Sequence, residues 1–461
     1  MKEVPVWVWL PGDLNATQAG TFRQEEKPES RGRFEYDEKY LKHPRRIALD
    51  PIALPLRARE TAENEQNGIF GVFLDTGPDA WGTRVLAIRL GHEPDALEAL
   101  LHGGADGVGN IALGDLSRLR RHHESTGALA QVATYFDQIQ QNPHELPAAL
   151  RAFGLDRLTT SLGGMKPKLT IEHQGALWIA KFPERNDPPH AMEREYAALR
   201  GARSLGLDVC DTQLHDLGGD RRVVLVKRFD RVPLHRANAP TAFGRFGYAS
   251  AHTVLKLKRD NTPAEKKSYL HFSTEIQRWC ADREHDPSED QKELWRRIVF
   301  NVAINNTDDH PRNHGLLQTA AGWRLSPAFD LVIPAHNPDL TLSMPFCIDS
   351  EGKLSGAMSV ACLLHSIKYF GFGMAPDSYE EAIPELRRIL TGVRDGWRGW
   401  LRQAGMPEQA IEGRAPLFER CNKLLKELDE YKPPAPSRHE LRRAALAEKR
   451  KKSAALGTPS D

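Results

Sequence analysis

Asn305-Asn306-Thr307-Asp308-Asp309-His310-Pro311-Arg312-Asn313-His314, with Leu325-Ser326-Pro327-Ala328-Phe329-Asp330 close behind, is the part of this chain from which its architecture is worked out. Just upstream, Leu294, Ile298 and Val302 recur every four residues, which puts one apolar stripe on a buried helix face. The pattern stops at a polar run containing Pro311, so Asp308 to Asn313 fall on a loop. An Asp, an Asn five positions later and a second Asp after a short strand suit phosphoryl transfer to a hydroxyl. One carboxylate accepts the hydroxyl proton, while an amide oxygen and the other carboxylate hold magnesium on nucleotide phosphates. Asp, Asn and Pro are also ordinary turn residues whose side chains cap their own backbone. The pattern therefore needs a phosphate loop and a lysine upstream, in that order.

Both are present. In Ser161-Leu162-Gly163-Gly164-Met165-Lys166-Pro167-Lys168-Leu169, two adjacent glycines let successive N–H groups point into one concavity, a nest for anionic oxygens, and Lys166 and Lys168 add positive charge. The loop is neither a Walker loop nor a GxGxxG, and Gly-Gly between strands also makes a plain hairpin turn. In the strand Ala176–Pro183, alternation puts Lys181 on the face of Leu177 and Ile179, away from Trp178 and Phe182. A lysine among apolar neighbours is costly without an anion. Nucleotide phosphates would supply one; snorkelling at the strand end is the alternative. Glu195, on a helix expected from near His190 to Leu205, is the candidate to pair with that lysine. Arg221 to Arg231 reads as a buried strand running into a charged link, the place of an adenine-binding hinge or simply a strand end with solvated charges.

The rest of the chain sets the frame. A length of 461 residues predicts two or three domains. Hydrophobic residues make up 40% and charged residues 27%, and the net charge of +1 creates no overall field toward nucleic acid or membrane. No apolar run approaches the roughly 20 residues that span a bilayer, and Met1 to Asp13 predicts no signal peptide. Five scattered cysteines without a CxxC predict reduced, buried thiols in a cytoplasmic protein. Residues 1–110 read as a small mixed domain without evident chemistry, with strands at Val4–Leu10 and Gly32–Tyr36 and a helix opened by Asp79 as N-cap. Residues 111–150 are a polar connection with helical stretches. Tyr248–Lys258, Ser268–Trp279, 289–304, Tyr379–Leu401 and Leu417–Tyr431 read as helices, and Trp323–Ser326 as a strand. Beyond Lys432-Pro433-Pro434-Ala435-Pro436 lies a basic tail, either a nucleic-acid contact or a solvated end.

The ordered set SLGGMKPK, WIAKFP, EREY, VKRFDR, NTDDHPRNHGLL and LSPAFD resembles the HipA family of serine/threonine kinases, toxins of bacterial HipBA-type toxin–antitoxin pairs. GRFEYDEKYL and FLDTGPDAWGTRVL resemble that family's N-terminal subdomain. The resemblance implies an α+β, two-lobed, protein-kinase-like fold with a mixed α/β accessory subdomain and a mostly helical C-terminal lobe. The divisions implied are 1–110 for the subdomain, 111–235 for an N-lobe with glycine loop and lysine strand, 236–431 for the helical C-lobe, and 432–461 for the tail. It implies ATP and Mg2+ as cofactors, Asp308 as catalytic base and Asn313 and Asp330 as magnesium ligands. Gly163, Gly164, Met165, Lys166, Pro167 and Lys168 would close over the nucleotide, and Lys181 would contact its phosphates. Lys227, Arg228 and Phe229 would form the hinge, with Asp230 and His310 among the other ATP-binding residues. Ser161 falls at the autophosphorylated serine, whose modification expels the glycine loop and switches the kinase off. The implied substrate is a protein such as an aminoacyl-tRNA synthetase, and the implied partner is a small DNA-binding antitoxin of HipB type that brings DNA indirectly, with the basic tail as a candidate aid.

The chain departs from the family in its short Lys168–Lys181 connection, in Ala239-Pro240-Thr241-Ala242 and Tyr248–His252 where many members have Pro-Gln-Glu-Asp, and in Asp309 where some have Gly. These leave the protein substrate open. Two rival readings remain: a catalytically feeble relative acting as a DNA-bound co-repressor with its antitoxin, and a zinc hydrolase built on Asp308, His310 and His314. Pro311 between the two histidines disfavours the continuous helix a zinc pair needs.

Overall fold

Alternating valines build the first sheet. Val4, Val6 and Val8 are at most 2% exposed on strand β1 (Lys2–Val8), which pairs antiparallel with β2 (Thr17–Gln24). Strands β3 (Gly32–Tyr36), β4 (Thr61–Glu63) and β5 (Ile111–Leu113) complete the order β4-β3-β2-β1-β5. Phe22 and Phe73 meet edge to face beneath it, ring centroids 5.7 Å apart. This is a computed structural model, and it describes residues 2–25, 31–103, 107–116, 166–184, 186–218, 221–234, 242–258, 266–281, 285–336, 341–373 and 377–434.

The helix Ala80–Leu90 leaves this subdomain and covers a second sheet. Its cap is Asp79, whose carboxylate accepts the Gly82 N–H at 2.6 Å. The second sheet is antiparallel, built from β6 (Lys168–His173), β7 (Ala176–Lys181), β8 (Thr212–Asp216) and β9 (Arg222–Lys227) in the order β6-β7-β9-β8. Trp178, Ala180 and Phe182 pack with Trp81 and Val85 on one face, while Val224 and Val226 pack with Met192 of the helix Ala191–Ser204 on the other. The period-2 alternation expected of β7 is what sorts the two faces.

A hairpin of β10 (Arg231–Leu234) and β11 (Ala242–Arg245) leads into the helical lobe. There β12 (Gly247–Ser250), β13 (Gly315–Thr319) and β14 (Gly322–Leu325) form a small antiparallel sheet. Helices Tyr269–Trp279 and Ser288–Ile304 pack on it, and Asp377–Gln403 and Ala415–Glu430 pack on Ser288–Ile304 in turn. Leu294, Ile298 and Val302 are 0% exposed. The expected helix over Tyr248–Lys258 is shorter than the sequence suggests. Tyr248 and Ala249 pair with Leu317 and Leu316, and only Ala251–Val254 is helical. Cross-strand pairing with a partner far along the chain overrides the local helical pattern. The fold is thus α+β and two-lobed, with a mixed N-terminal subdomain and a mostly helical C-terminal lobe. No helix among the described residues is long and apolar enough to cross a membrane.

Candidate active site

The end of β7 brings buried charges together. Lys181 Nζ lies 2.5 Å from Glu195 Oε1 and bonds the Asp330 carboxylate as well. Burial alone would lower the Lys181 ammonium, but Asp330 and Glu195 reverse this and raise it well above the ordinary lysine value. Burial alone would likewise raise the Asp330 carboxyl; Lys181 and Lys168 outweigh it and hold it below the usual carboxylate range. Asp330 sits at φ +54°, left-handed backbone that a non-glycine residue adopts at a cost of about 1–3 kcal/mol. The ion pair with Lys181 helps to hold it there.

Lys168 faces Lys181 across the β6–β7 ladder. Its ammonium is 2.8 Å from Asp79, and the two side chains are 2% and 3% exposed. Burial pushes the Asp79 carboxyl up, while Lys168 and the Gly82 N–H pull it back. Asp79 belongs to the N-terminal subdomain, which the sequence reading left without chemistry. The structure adds one contact to that reading: the subdomain supplies the counter-ion to Lys168.

The catalytic-loop stretch starts where the helix Ser288–Ile304 ends. Asn305 takes φ +59° and closes it, and its amide donates to Leu417 O at 2.6 Å. Asp308 then points outward with its side chain 87% exposed. Asn313 Nδ2 donates to the Asp308 carbonyl at 2.8 Å, and His310 Nε2 stands 3.9 Å from the Asp308 carboxylate. Asp309 goes the other way. It is 1% exposed and accepts the Ser343 N–H at 2.8 Å. Burial pushes its carboxyl up to about 6, partly offset by that N–H. His314 lies in the core with Nε2 3.0 Å from the Tyr269 hydroxyl, and burial, with Arg297 and His310 adding, lowers it to about 3. His310 and His314 flank the single turn Pro311–Asn313 and share no helix.

At the expected hinge the side chains divide. Phe229 packs against Phe329 and Tyr248, ring centroids 5.6 and 5.8 Å away, and Lys227 Nζ reaches Asp211 at 3.3 Å. Arg228 and Asp230 instead enter a buried ionic knot. Asp230 lies 2.9 Å from Arg228 Nη2 and 2.5 Å from Arg231 Nη1, and accepts the Gly109 N–H at 2.9 Å. Arg231 also donates to the carbonyls of Gly107 and Gly109 at 2.6 and 2.9 Å. Burial would raise the Asp230 carboxyl, but the two guanidinium groups drive it far below the normal range. The knot bolts the segment after the first subdomain to the link between the lobes.

Of the residues singled out in the sequence, the structure gathers Lys168, Lys181 and Asp330 in one buried cluster, and Asp308, His310 and Asn313 on one loop. Among the charges that lower the Asp330 carboxyl, His310 is a minor contributor after Lys181 and Lys168. Lys166 pairs with Asp187 at 3.2 Å, and Pro167 accepts the Phe182 N–H at 2.9 Å. Ser161, Gly163, Gly164 and Met165 lie outside the described residues, as do most of the 111–150 connection and the basic tail. Asp79, Asp75 and the 107–109 carbonyls were missed because their partners are far along the chain. The Asp-Thr-Gly-Pro-Asp spacing in FLDTGPDAWG was the signal that pointed there. A magnesium–nucleotide donor set is compatible with what is present. Asp330 is held anionic, and Asn313, with its nitrogen engaged, keeps an amide oxygen; two hard oxygens are the donors magnesium takes. Lys181 bonds Asp330, and Lys168 faces Lys181 across the ladder, which gives two cations suited to phosphates.

Comparison with known proteins points to one family. The model of the HipA-like C-terminal domain matches residues 160–390, and that of the HipA N-terminal domain matches residues 10–114. A Sinorhizobium fredii protein, Y4mE, is 26% identical over 343 residues, 70% of this chain and 77% of that one. The serine/threonine-protein kinase toxin HipA of Shewanella oneidensis is 23% identical over 215 residues, 41% of this chain and 47% of its own length. Among solved structures, HipA from the Shewanella oneidensis complex of HipA, HipB and operator DNA superposes with a TM-score of 0.64 at 17% identity, covering 93% of this chain and 98% of that one.

Proposed function

The chain belongs to the HipA family, and from this membership we propose that it is an ATP- and magnesium-dependent serine/threonine protein kinase that limits itself by autophosphorylation. The observation that carries the proposal is the buried Lys181–Glu195–Asp330 cluster beside a loop on which Asp308 alone of two adjacent aspartates faces solvent. Magnesium, held by Asn313 and Asp330, supplies charge neutralisation at the phosphates. Lys181 and Lys168 hold the nucleotide, with Lys166 and the 163–165 glycine segment closing over it. Phe229 and the backbone of Lys227 and Arg228 seat the adenine, near Asp230 and His310. Asp308 orients the substrate hydroxyl and takes its proton as the oxygen bonds to the γ-phosphorus and ADP leaves. Asp309, buried and bonded to Ser343, anchors the loop instead.

The proposal extends to regulation and partners. Phosphate on Ser161 puts a dianion beside the phosphate-binding nest and repels the nucleotide. The substrate proposed is a translation-related protein such as an aminoacyl-tRNA synthetase in the cytoplasm. The partner proposed is a small DNA-binding antitoxin of HipB type, as in the Shewanella complex. The divisions 1–110, 111–235, 236–431 and 432–461 are the working domains for this scheme.

The test is transfer of labelled γ-phosphate from ATP with magnesium, comparing wild type, Asp308→Ala and Ser161→Ala, with mass spectrometry of the product. Label on Ser161 that vanishes in Asp308→Ala is the expected result. Folded, unphosphorylated wild type that takes up no label and binds no nucleotide overturns the proposal.

A further inference from the structure

Five residues of the N-terminal subdomain touch both lobes. Asp75-Thr76-Gly77-Pro78-Asp79 joins the short helix Gly71–Leu74 to the helix Ala80–Leu90. At one end, Asp75 accepts the Ser250 N–H at 2.8 Å and the Ser250 hydroxyl at 2.7 Å. Ser250 caps the helix Ala251–Val254, and the Ala251 N–H donates to His314 O at the close of the catalytic loop, 2.8 Å away. A Cβ on Gly71 would lie 2.6 Å from Thr253 Cγ2, so the segment is pressed onto that lobe. At the other end, Asp79 holds Lys168 in the N-lobe cleft at 2.8 Å. The connecting chain is short and stiff. Four peptide steps reach at most about 14 Å, Pro78 fixes its own φ, and a helix begins or ends at each side.

We propose that Asp75–Asp79 is an interlobe clasp, and that Asp79 is a positioning residue that keeps Lys168 directed to the nucleotide phosphates. The proposal rests on the kinase reading for its catalytic part. Asp330 is a second carboxylate within the field of Lys168, since Lys168 faces Lys181 across the ladder and Lys181 bonds Asp330. With Asp79 neutral, Lys168 turns to Asp330, and the phosphates lose a cation while the metal-binding carboxylate gains a competitor. Asp75 acts at the far end, through Ser250, on the placement of the catalytic loop. The two ends therefore have different kinetic signatures: loss at Asp79 shows in ATP binding, and loss at Asp75 shows in turnover.

Asp79→Asn is the decisive variant, because Asn caps a helix as well as Asp and removes only the charge. In the full chain, it is expected to raise KM for ATP about tenfold with kcat changed less than about threefold. Asp79→Glu, which keeps the charge, is expected to restore most of the affinity. Asp75→Asn is expected to lower kcat more than it raises KM. Hydrogen exchange without nucleotide provides a readout independent of catalysis. Amides of Lys168–His173 are expected to exchange about tenfold faster in Asp79→Asn, and those of Gly247–Ser250 in Asp75→Asn, with the helix Ser288–Ile304 unchanged. Unaltered KM and unaltered exchange in folded Asp79→Asn overturn the clasp. A wild type that transfers no phosphate overturns the kinase reading instead, and the exchange measurement still decides the clasp.

Discussion

Asp308 and Asp309 are neighbours in the chain with opposite surroundings: one is 87% exposed at its side chain, the other 1% exposed overall. The difference is testable by pH. An aspartate in an unfolded chain titrates near about 3.9, whereas Asp309 in the fold keeps its proton up to about 6. Between those values the folded state binds the extra proton, so stability falls as pH rises through the window, by roughly 2–3 kcal/mol in all. Asp309→Asn abolishes this titration and keeps an oxygen for the Ser343 N–H. It is expected to melt above wild type near neutral pH and to lose that advantage toward about pH 4. Calorimetry at the two pH values checks it; a variant that melts below wild type at both would show that the buried carboxylate is stabilising when charged.

At the scale of elements, the helix Ser288–Ile304 fixes the start of the Asn305–His314 loop because its apolar stripe is fully buried. Ile298→Ala removes a side chain that is 0% exposed and is expected to cost about 2–5 kcal/mol by cavity formation. Urea unfolding measures it, and a loss under about 1 kcal/mol would mean the stripe is not a tight core. This helix was legible in the sequence because its period is local, and so were β7, the Asp79 cap and the helix bearing Glu195. Strand β12 was not legible, since only its pairing with Leu316 and Leu317 makes it a strand. The strand Arg222–Lys227 was legible, but the side-chain contacts of the link that follows it were not. Nothing in Lys227-Arg228-Phe229-Asp230 indicates that Arg228 and Asp230 turn toward Gly107 and Gly109 while Phe229 packs beside Phe329. Asp79 was read as a cap and no more, because Lys168 stands far along the chain.

Across the whole molecule, polar contacts between the N-terminal subdomain and the kinase-like lobes include Asp75 on Ser250, Asp79 on Lys168, and the 107–109 segment on the ionic knot. Buried guanidinium groups stripped of their carbonyl partners are heavily penalised. A chain beginning at residue 111 is therefore expected to be insoluble or to lack a cooperative melt. A monomeric 111–461 fragment with a sharp thermal transition would show instead that the lobes stand alone.

The knot also imposes a timetable on synthesis. Gly109 and Asp230 are 121 residues apart. At about 5–20 residues per second, the segment just before β5 waits roughly 6–24 s on the ribosome before its arginine partners are made. Asp330 is translated later still, so the charge cluster at Lys181 completes only after the subdomain has been fastened down. A prematurely terminated chain thus ends as an unfinished scaffold in which Lys181 lacks its Asp330 partner, and a cell that aborts this message midway is left with an incompletely compensated buried ammonium.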